Sequence, residues 1–455
     1  MNARRALILA LLFAINAVNF FDRQILAAVT EPLRREWDLS DTQIGWLGTA
    51  FALLYAVVGI PAGRLADLWK RKWLMAAGLS LWSFLTVVSG MCRSFGSLFA
   101  ARLGIGIGEA ACAPAATSWI GDLFGTFERA RAMSIFMLGL PVGLALSYIV
   151  SGTIAHHYGW RYAFLVAGIP GLMLTLLLLP VREPLRGAAE SVEIGAARRP
   201  GSPYLIVLSL PTMWVIIVSG ALHNFNLYGI SSFLPAYLTR YHGATLQQAG
   251  FLSGLVIGGM GAAGMLLGGW LGDAAMRRRS NGRMLVAAAS LLMSAPVVFS
   301  SLEQSSIKSF IALLGLAYML MYFYYANIYA TIHDILEPAL RGTGMAIYFF
   351  AMYLMGAALG PVGTGWLSDF MARRAANLPP AAAIPEQFRA VGLHQAMYVI
   401  PVIALMLTAV LFLGSLTVRS DINRLRTWMA RAHGSEPKSP GPETGTRRTP
   451  IASPL

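Results

Sequence analysis

Charge is scarce and lopsided in this chain: 12% of its 455 residues are Asp, Glu, Lys or Arg, and 21 acidic residues face 35 basic ones. An ordinary soluble domain carries about 25% charged residues, so a water-soluble globule is excluded. Cysteine is nearly missing. Cys92 and Cys112 are too few for a disulfide framework or a cysteine metal site, and they read as small apolar packing residues. No Gly-x-x-x-x-Gly-Lys-Ser/Thr phosphate loop occurs, which leaves ATP-driven transport unsupported. Nor does any nucleophile–base set or His/Cys cluster stand within the apolar runs. The expectation is therefore no enzyme and no cofactor: no metal, nucleotide or haem site.

What the chain has in abundance is apolar sequence, 56% of all residues, with a mean hydropathy of +0.60. Runs of about 20 apolar residues, enough to cross roughly 30 Å of hydrocarbon, recur from end to end. They predict twelve spans, at about 6–29, 43–65, 73–92, 97–120, 131–153, 161–180, 204–238, 248–271, 283–302, 307–333, 343–367 and 393–417. The first contains Asp22 and Arg23 and lacks a small-residue cleavage pattern, so it reads as a retained helix rather than a signal peptide. With the amino terminus cytoplasmic, about 24 of the 35 Lys and Arg fall in inside segments, as the positive-inside rule requires. Both termini are then cytoplasmic, in a multi-pass protein of the cell membrane, read as a bacterial inner membrane. The net charge of +14 calls for anionic membrane lipid and not nucleic acid.

Polar residues 181–203, with Arg198, Arg199, Pro200 and Pro203, divide the spans six and six. The expected organisation is an N-terminal bundle over 1–180, a cytoplasmic linker over 181–203, a C-terminal bundle over 204–418 and a cytoplasmic tail over 419–455. That tail begins with a basic stretch able to lie on the membrane as a helix, and from about 434 it lacks the apolar content to fold. An internal repeat supports the division. Gly63-Arg64-Leu65-Ala66-Asp67 returns as Gly269-Trp270-Leu271-Gly272-Asp273, and Arg129 to Met133 returns as Arg341 to Met345, at offsets of 206 and 212. Duplicated halves place a substrate site between them near the bilayer midplane.

Charges inside spans cost roughly 2.5–3.5 kcal/mol each on insertion scales, so Asp22, Arg23, Arg102 and Glu109 are the first functional candidates. Arg102 and Glu109 are seven residues apart and share a helix face, with Gly104, Gly106 and Gly108 between them to let a neighbour approach. At 1.5 Å per residue Arg102 lies about 7–8 Å deep and Asp22 roughly 6–10 Å, so these two can pair, whereas Glu109 at about 18 Å is met by Arg23 only if the span boundaries shift by a turn or that side chain extends inward. Burial favours the protonated form of a carboxyl and a nearby arginine favours the ionised form. Partner exchange would then bind and release a proton, with Glu109 as main carrier and Asp22 with Arg23 coupling its charge to conformation. A static ion pair that only locks packing is the competing reading.

The stretch GRLADLWKRK resembles the loop between the second and third helices of the major facilitator superfamily. Gly63, Leu65, Asp67, Arg71 and Lys72 match its pattern, while Leu68 and Lys70 replace an Arg and a Gly. NFFDRQ around Asp22, RLGIGIGEA from Arg102 to Ala110 and HDILEPALRGTGMA from His333 to Ala346 are similar to the spinster-like branch. The resemblance runs from about residue 16 to 417 and implies an all-α integral membrane protein with twelve transmembrane helices in two six-helix bundles. It also implies alternating access with proton coupling, support for an Arg23–Glu109 pair and, as in some animal members, export of lysolipid or sphingolipid-like molecules. Gly63, Asp67, Arg71, Lys72 and Asp273 are expected to form a conformational gate holding the halves together in one state.

Polar residues of span 7 (His223, Asn224, Asn226) and span 10 (Tyr322, Tyr325, Asn327) are candidates for lining the substrate path, ordinary interhelical hydrogen bonding being the alternative for each. Arginine with aromatics suits a ligand with an anionic head and an apolar body, and an aromatic acid fits as well as a lysolipid. The expectation is a secondary active transporter, acting as a monomer on a small-molecule or lipid substrate with protons. An importer of small aromatic or carboxylic acids, and a channel or non-transporting sensor on the same scaffold, remain open.

Overall fold

The computed structural model describes residues 3–124, 126–184, 201–337, 340–379 and 382–432. Within them twelve helices are long and apolar enough to cross a membrane. Those used below are span 1 (Ala3–Ala28), span 2 (from Asp41), span 3 (Arg71–Met91), span 4 (Phe95–Leu123), span 5 (Arg131–Tyr158), span 7 (Pro211–Arg240), span 8 (Leu246–Met276), span 9 (Gly282–Leu302), span 10 (Ile307–Ile335), span 11 (Arg341–Ala375) and span 12 (Glu386–Trp428). Their outer faces are apolar: Leu266, Trp270 and Leu416 are all more than 60% exposed, as lipid-facing side chains must be.

Span 7 begins at Pro211 rather than near residue 204, with a separate short helix at Pro203–Leu208 before it. Proline fixes φ and lacks an N–H, so it suits the first turn and disfavours helix in the residue preceding it. Proline also interrupts span 4. The helix Phe95–Ala110 breaks at Ala111 and resumes as Cys112–Leu123, because the ring of Pro114 cannot accept the regular turn at Ala110. Span 12 does not end near residue 417: its helix Val399–Ala432 runs straight into the basic stretch. Much of the expected linker, and the tail from 433 onward, lie outside the described residues.

Spans 1–6 and 7–12 form two bundles. Their common ancestry shows in matched ion pairs: Arg71 binds Asp122 in the first half, and Arg283 binds Asp334 in the second, each 212 residues on. The halves meet along span 2 against span 11 and span 5 against span 8. Backbones nearly touch there, since a Cβ added to Gly365 would stand 2.2 Å from the Asp41 carbonyl and one on Gly250 would stand 2.4 Å from that of Tyr148. Only glycine fits such contacts. Both lie toward the end of the molecule where span 1 finishes and spans 2 and 8 start. Ser40–Gln43 and Thr245–Gln248 capping boxes fix those two starts, each satisfying helix N–H groups that water would otherwise have to meet.

Candidate functional site: a buried charge cluster between the halves

Span 1 presents Asn19 and Arg23 on one stripe, four residues apart and both buried. The guanidinium of Arg23 is fully engaged. Its Nε donates to Glu109 Oε2 at 2.8 Å, Nη2 to Asn19 Oδ1 at 2.9 Å and Nη1 to the Tyr353 hydroxyl at 3.1 Å. Phe20, Phe51 and Tyr55 face the same charge, with ring centroids 4.5–5.0 Å away, a cation–π setting that stabilises a desolvated cation. Glu109 sits two residues before the break at Ala111 in span 4, and its Oε1 has no hydrogen-bond partner among the described residues. Span 4 can deliver it because its glycines clear the way. A Cβ on Gly106 would lie 2.6 Å from the Phe51 carbonyl, and one on Gly108 2.9 Å from that of Gly78.

The pairing differs from the one that depth counting favours. Arg102 does not reach the Asp22 carboxylate; its two Nη atoms donate at 3.4 Å to the backbone carbonyls of Asp22 and Arg23. Asp22 accepts from Thr86 on span 3 at 3.4 Å, and its Oδ1 is without a partner among the described residues. Arg23 reaches Glu109 because a long side chain covers the difference in depth that helix rise alone predicts. A cavity of about 20 Å³, room for roughly one water, lies between the halves beside this cluster, bordered by Arg23, Arg102, Phe51, Tyr228, Ser232 and Pro361.

The second half offers tyrosines where the first offers charge. His223 is fully buried, stacks on Tyr324 at 4.0 Å between centroids and meets the edge of Tyr325 at 4.9 Å. Neither of its ring nitrogens has a partner among the described residues. The Tyr325 hydroxyl donates to Asn224 at 3.0 Å, and Tyr322 packs on Tyr325 at 5.4 Å. These four candidates come together. Asn226 and Asn327 do not join them: the first donates to the Ile400 carbonyl of span 12 and the second to the Gly268 carbonyl of span 8, both at 3.0 Å. They are interhelical struts, the alternative the sequence left open.

The described gate candidates, Arg71, Lys72 and Asp273, make their contacts within their own halves in this conformation. Arg71, buried at the start of span 3, donates to Ser118 at 2.7 Å and to Glu183 at 2.9 Å besides binding Asp122, and the Lys72 amide also reaches Glu183. Asp273 binds Arg283 at 2.7 Å within the second half. Of Gly63 and Asp67 only the helical backbone is described. The ion pairs that join the halves lie at the opposite end. Arg240, the last residue of span 7, is bidentate to Asp41 at 2.8 Å and also grips Glu31 at 2.7 Å, all three nearly buried. Asp369 of span 11 accepts from the Asp41 and Thr42 amides at 3.1 and 2.8 Å, capping span 2 from across the interface. Glu386 receives Arg34, and Arg389 donates to the Leu39 carbonyl.

Sequence reasoning missed this seal, and it missed Tyr353. Glu31, Arg34 and Asp41 fall between the first two predicted spans, and nothing local marks an ion pair between residues about 200 positions apart.

Comparison with known proteins agrees with the geometry. Residues 12–361 match the Major Facilitator Superfamily. An MFS-type efflux pump of Mycolicibacterium smegmatis is 28% identical, the alignment covering 78% of this chain and 82% of the pump. Human protein spinster homolog 1 is 31% identical over 83% of this chain and 75% of its own length. A crystal structure of a bacterial homolog of the human lysosomal transporter spinster, inward-facing and unoccupied, superposes with a TM-score of 0.83 at 27% identity, covering 92% of this chain and 99% of that one. A fold of two six-helix bundles, the matched pattern over most of its length and the likeness to spinster make this chain a transporter and not an enzyme, and it belongs to the major facilitator superfamily, in the spinster-like branch.

Proposed function

We propose that the chain is a proton-coupled secondary active transporter that moves an amphiphilic or organic-anion substrate, lysolipid or sphingolipid-like, by alternating access. The observation that carries this reading is the Arg23–Glu109 pair, buried at the junction of the halves with Glu109 Oε1 and Asp22 Oδ1 left open. Carboxyls held this way bind a proton or release it when their cation moves. Glu109 is the main carrier, and Asp22, Arg23 and Arg102 translate its charge into the positions of spans 1 and 4. Tyrosines around His223 and Asn224 receive the apolar body of the substrate while Arg23 and Arg102 attract its anionic head.

Both termini are cytoplasmic in this reading, in a bacterial inner membrane, so the Arg240 seal is extracytoplasmic and the conformation is inward-facing. The likeness to the inward-facing spinster homolog supports that assignment. Gly63, Asp67, Arg71, Lys72 and Asp273 close the cytoplasmic end when the halves rock the other way. Export is the favoured direction, supported by the likeness to an efflux pump. The pairing of two arginines with Phe51 and Tyr228 around the one-water cavity favours a second reading, import of a small aromatic or carboxylic acid.

Purified protein in liposomes with an internal pH dye separates these. Lysophospholipid-dependent proton flux that Glu109→Gln abolishes, with the variant still folded, is the expected result. Flux driven by an aromatic acid alone selects the importer, full coupling in the variant removes Glu109 from its role, and no flux with either solute leaves a channel or sensor.

A further inference from the structure

Among the described residues, one hydrogen bond from the charge cluster reaches the second half: Arg23 Nη1 to the Tyr353 hydroxyl, 3.1 Å. Tyr353 is not on a regular helix. Span 11 is α-helical over Arg341–Ala351, widens to a π-helical turn over Met352–Ala357 and returns to α-helix at Leu359–Ala375. Such single-turn insertions are rare in helices and concentrate at functional sites.

The phase of the helix explains why one is needed here. At about 100° per residue, an unbroken α-helix would turn Tyr353 about 80° away from Pro361 and about 160° away from Asp369; one inserted residue reduces these to about 20° and about 60°. Pro361 and Asp369 both press on span 2, the first against Gly45 and Gly48, the second at the amides of Asp41 and Thr42. The π turn thus lets one helix hold span 2 along its upper half while aiming a hydroxyl at Arg23. Its place is fixed from both sides. A Cβ on Gly356 would lie 2.5 Å from the Ala221 carbonyl of span 7, and the Thr49 hydroxyl of span 2 donates to the Ala358 carbonyl where the turn closes.

We propose that Tyr353 is a positioning residue for proton coupling: by accepting from Arg23 it holds the guanidinium against Glu109 while the halves are sealed at the Arg240 end, and its withdrawal with span 11 releases Arg23 when that seal opens. The inference rests on the proton-coupled reading above and adds the route by which the second half senses the proton site. Ring packing of Tyr353 on Tyr55, 4.8 Å between centroids, does not need the hydroxyl. Tyr353→Phe therefore keeps the packing and removes the hydroxyl that accepts from Arg23.

The test needs no substrate. Spin labels at Arg93→Cys and Ser305→Cys, exposed positions on opposite halves at the sealed end, with Cys92 and Cys112 replaced by alanine, report opening as a distance measured against pH by pulsed electron resonance. The full chain is expected to open with a defined pH midpoint that Glu109→Gln removes. In Tyr353→Phe the midpoint moves to higher pH by about one unit, a tenfold change in proton affinity, because a loosened Arg23 stabilises the ionised Glu109 less. Thr49→Val, which removes a neighbouring cross-half hydrogen bond and leaves Arg23 untouched, leaves the midpoint in place. An unchanged midpoint in Tyr353→Phe, or an equal shift in Thr49→Val, overturns the inference alone. A distance independent of pH in the unmodified protein overturns the proton-coupled reading and the inference with it.

Discussion

The two halves share an ancestor and a fold, yet their facing surfaces have opposite chemistry. Where span 4 of the first half has Arg102 and Glu109, the positions 212 residues on in span 10 are Leu314 and Met321. Conversely, Tyr318, Tyr322, Tyr325 and Tyr329 of span 10 correspond to Gly106, Ala110, Ala113 and Thr117 of span 4. Duplication supplied one scaffold twice, and divergence then put ionisable groups on one copy and a neutral aromatic lining on the other. The small residues of span 4 are part of the same division, since they let spans 2 and 3 come close enough to shut water away from Glu109. A second asymmetry accompanies it: among the described residues the π turns, Leu255–Met260 in span 8 and Met352–Ala357 in span 11, belong to the second half and lie on spans that pack against the first.

Exchanging one residue at matched positions is the sharpest way to break this comparison. Glu109→Gln is expected to lower proton-driven transport by about 5- to 150-fold, the range of a coupling free energy of about 1–3 kcal/mol. Met321→Gln, its counterpart in the second half, should change transport by less than about twofold, because no charge is lost. Comparable losses in the two variants, measured as initial rates in liposomes at fixed pH gradient, would mean that the halves are not divided by proton chemistry.

The seal tests how the charged half is held to its neutral partner. Arg240→Ala leaves Glu31 and Asp41 buried without their shared cation, and breaking a buried pair by removing one partner costs about 3–5 kcal/mol. Thermal unfolding in detergent should show that loss, and the label distance at the sealed end should lengthen. Glu31 adds a pH signature. Burial by itself would raise its carboxyl, but Arg240 and then Arg34 outweigh this and hold it below its ordinary value of 4.5. A carboxyl with a depressed folded pKa contributes stability above its unfolded value and loses it as pH falls through the folded one. The melting temperature should therefore drop below about pH 4.5 in the unmodified protein, and Arg240→Ala should flatten that dependence. An unchanged acid limb in the variant would show that Glu31 draws its stability elsewhere.

Span number, the division into halves and the four buried charges were legible in the sequence because each rests on a local or periodic signal: apolar run length, a repeat at a fixed offset, charge at forbidden depth. Partner choice was legible only through the family resemblance, which supported Arg23 with Glu109, and not through geometry. Counting rise along helices placed Arg102 beside Asp22, but side-chain reach and the close approach of spans 1, 2 and 4 decided for Arg23 with Glu109. Tyr353 was hidden for a related reason, since a π turn changes helix phase without any residue that announces it. The seal at Arg240 lay beyond reach too, because Glu31 and Asp41 acquire their meaning only once the halves close.

The aromatic half can be sharpened by comparing two of its buried polar residues that look alike in sequence. His223 has two ring nitrogens without partners among the described residues, whereas Asn226, three positions on, spends its amide on the Ile400 carbonyl. A buried polar group with no bond carries its desolvation cost uncompensated, so replacing it by an apolar group of similar shape is nearly neutral or stabilising. His223→Phe should therefore keep or raise the melting temperature of the empty protein while weakening lysophospholipid binding about tenfold, because the ring nitrogens are free to bond a ligand and a phenyl is not. Asn226→Leu should do the reverse, costing about 1 kcal/mol of stability with binding unchanged. Isothermal titration and thermal unfolding on the same two samples decide it. Destabilisation by His223→Phe without loss of binding would turn His223 into a packing residue and move the substrate lining toward Tyr322 and Tyr325.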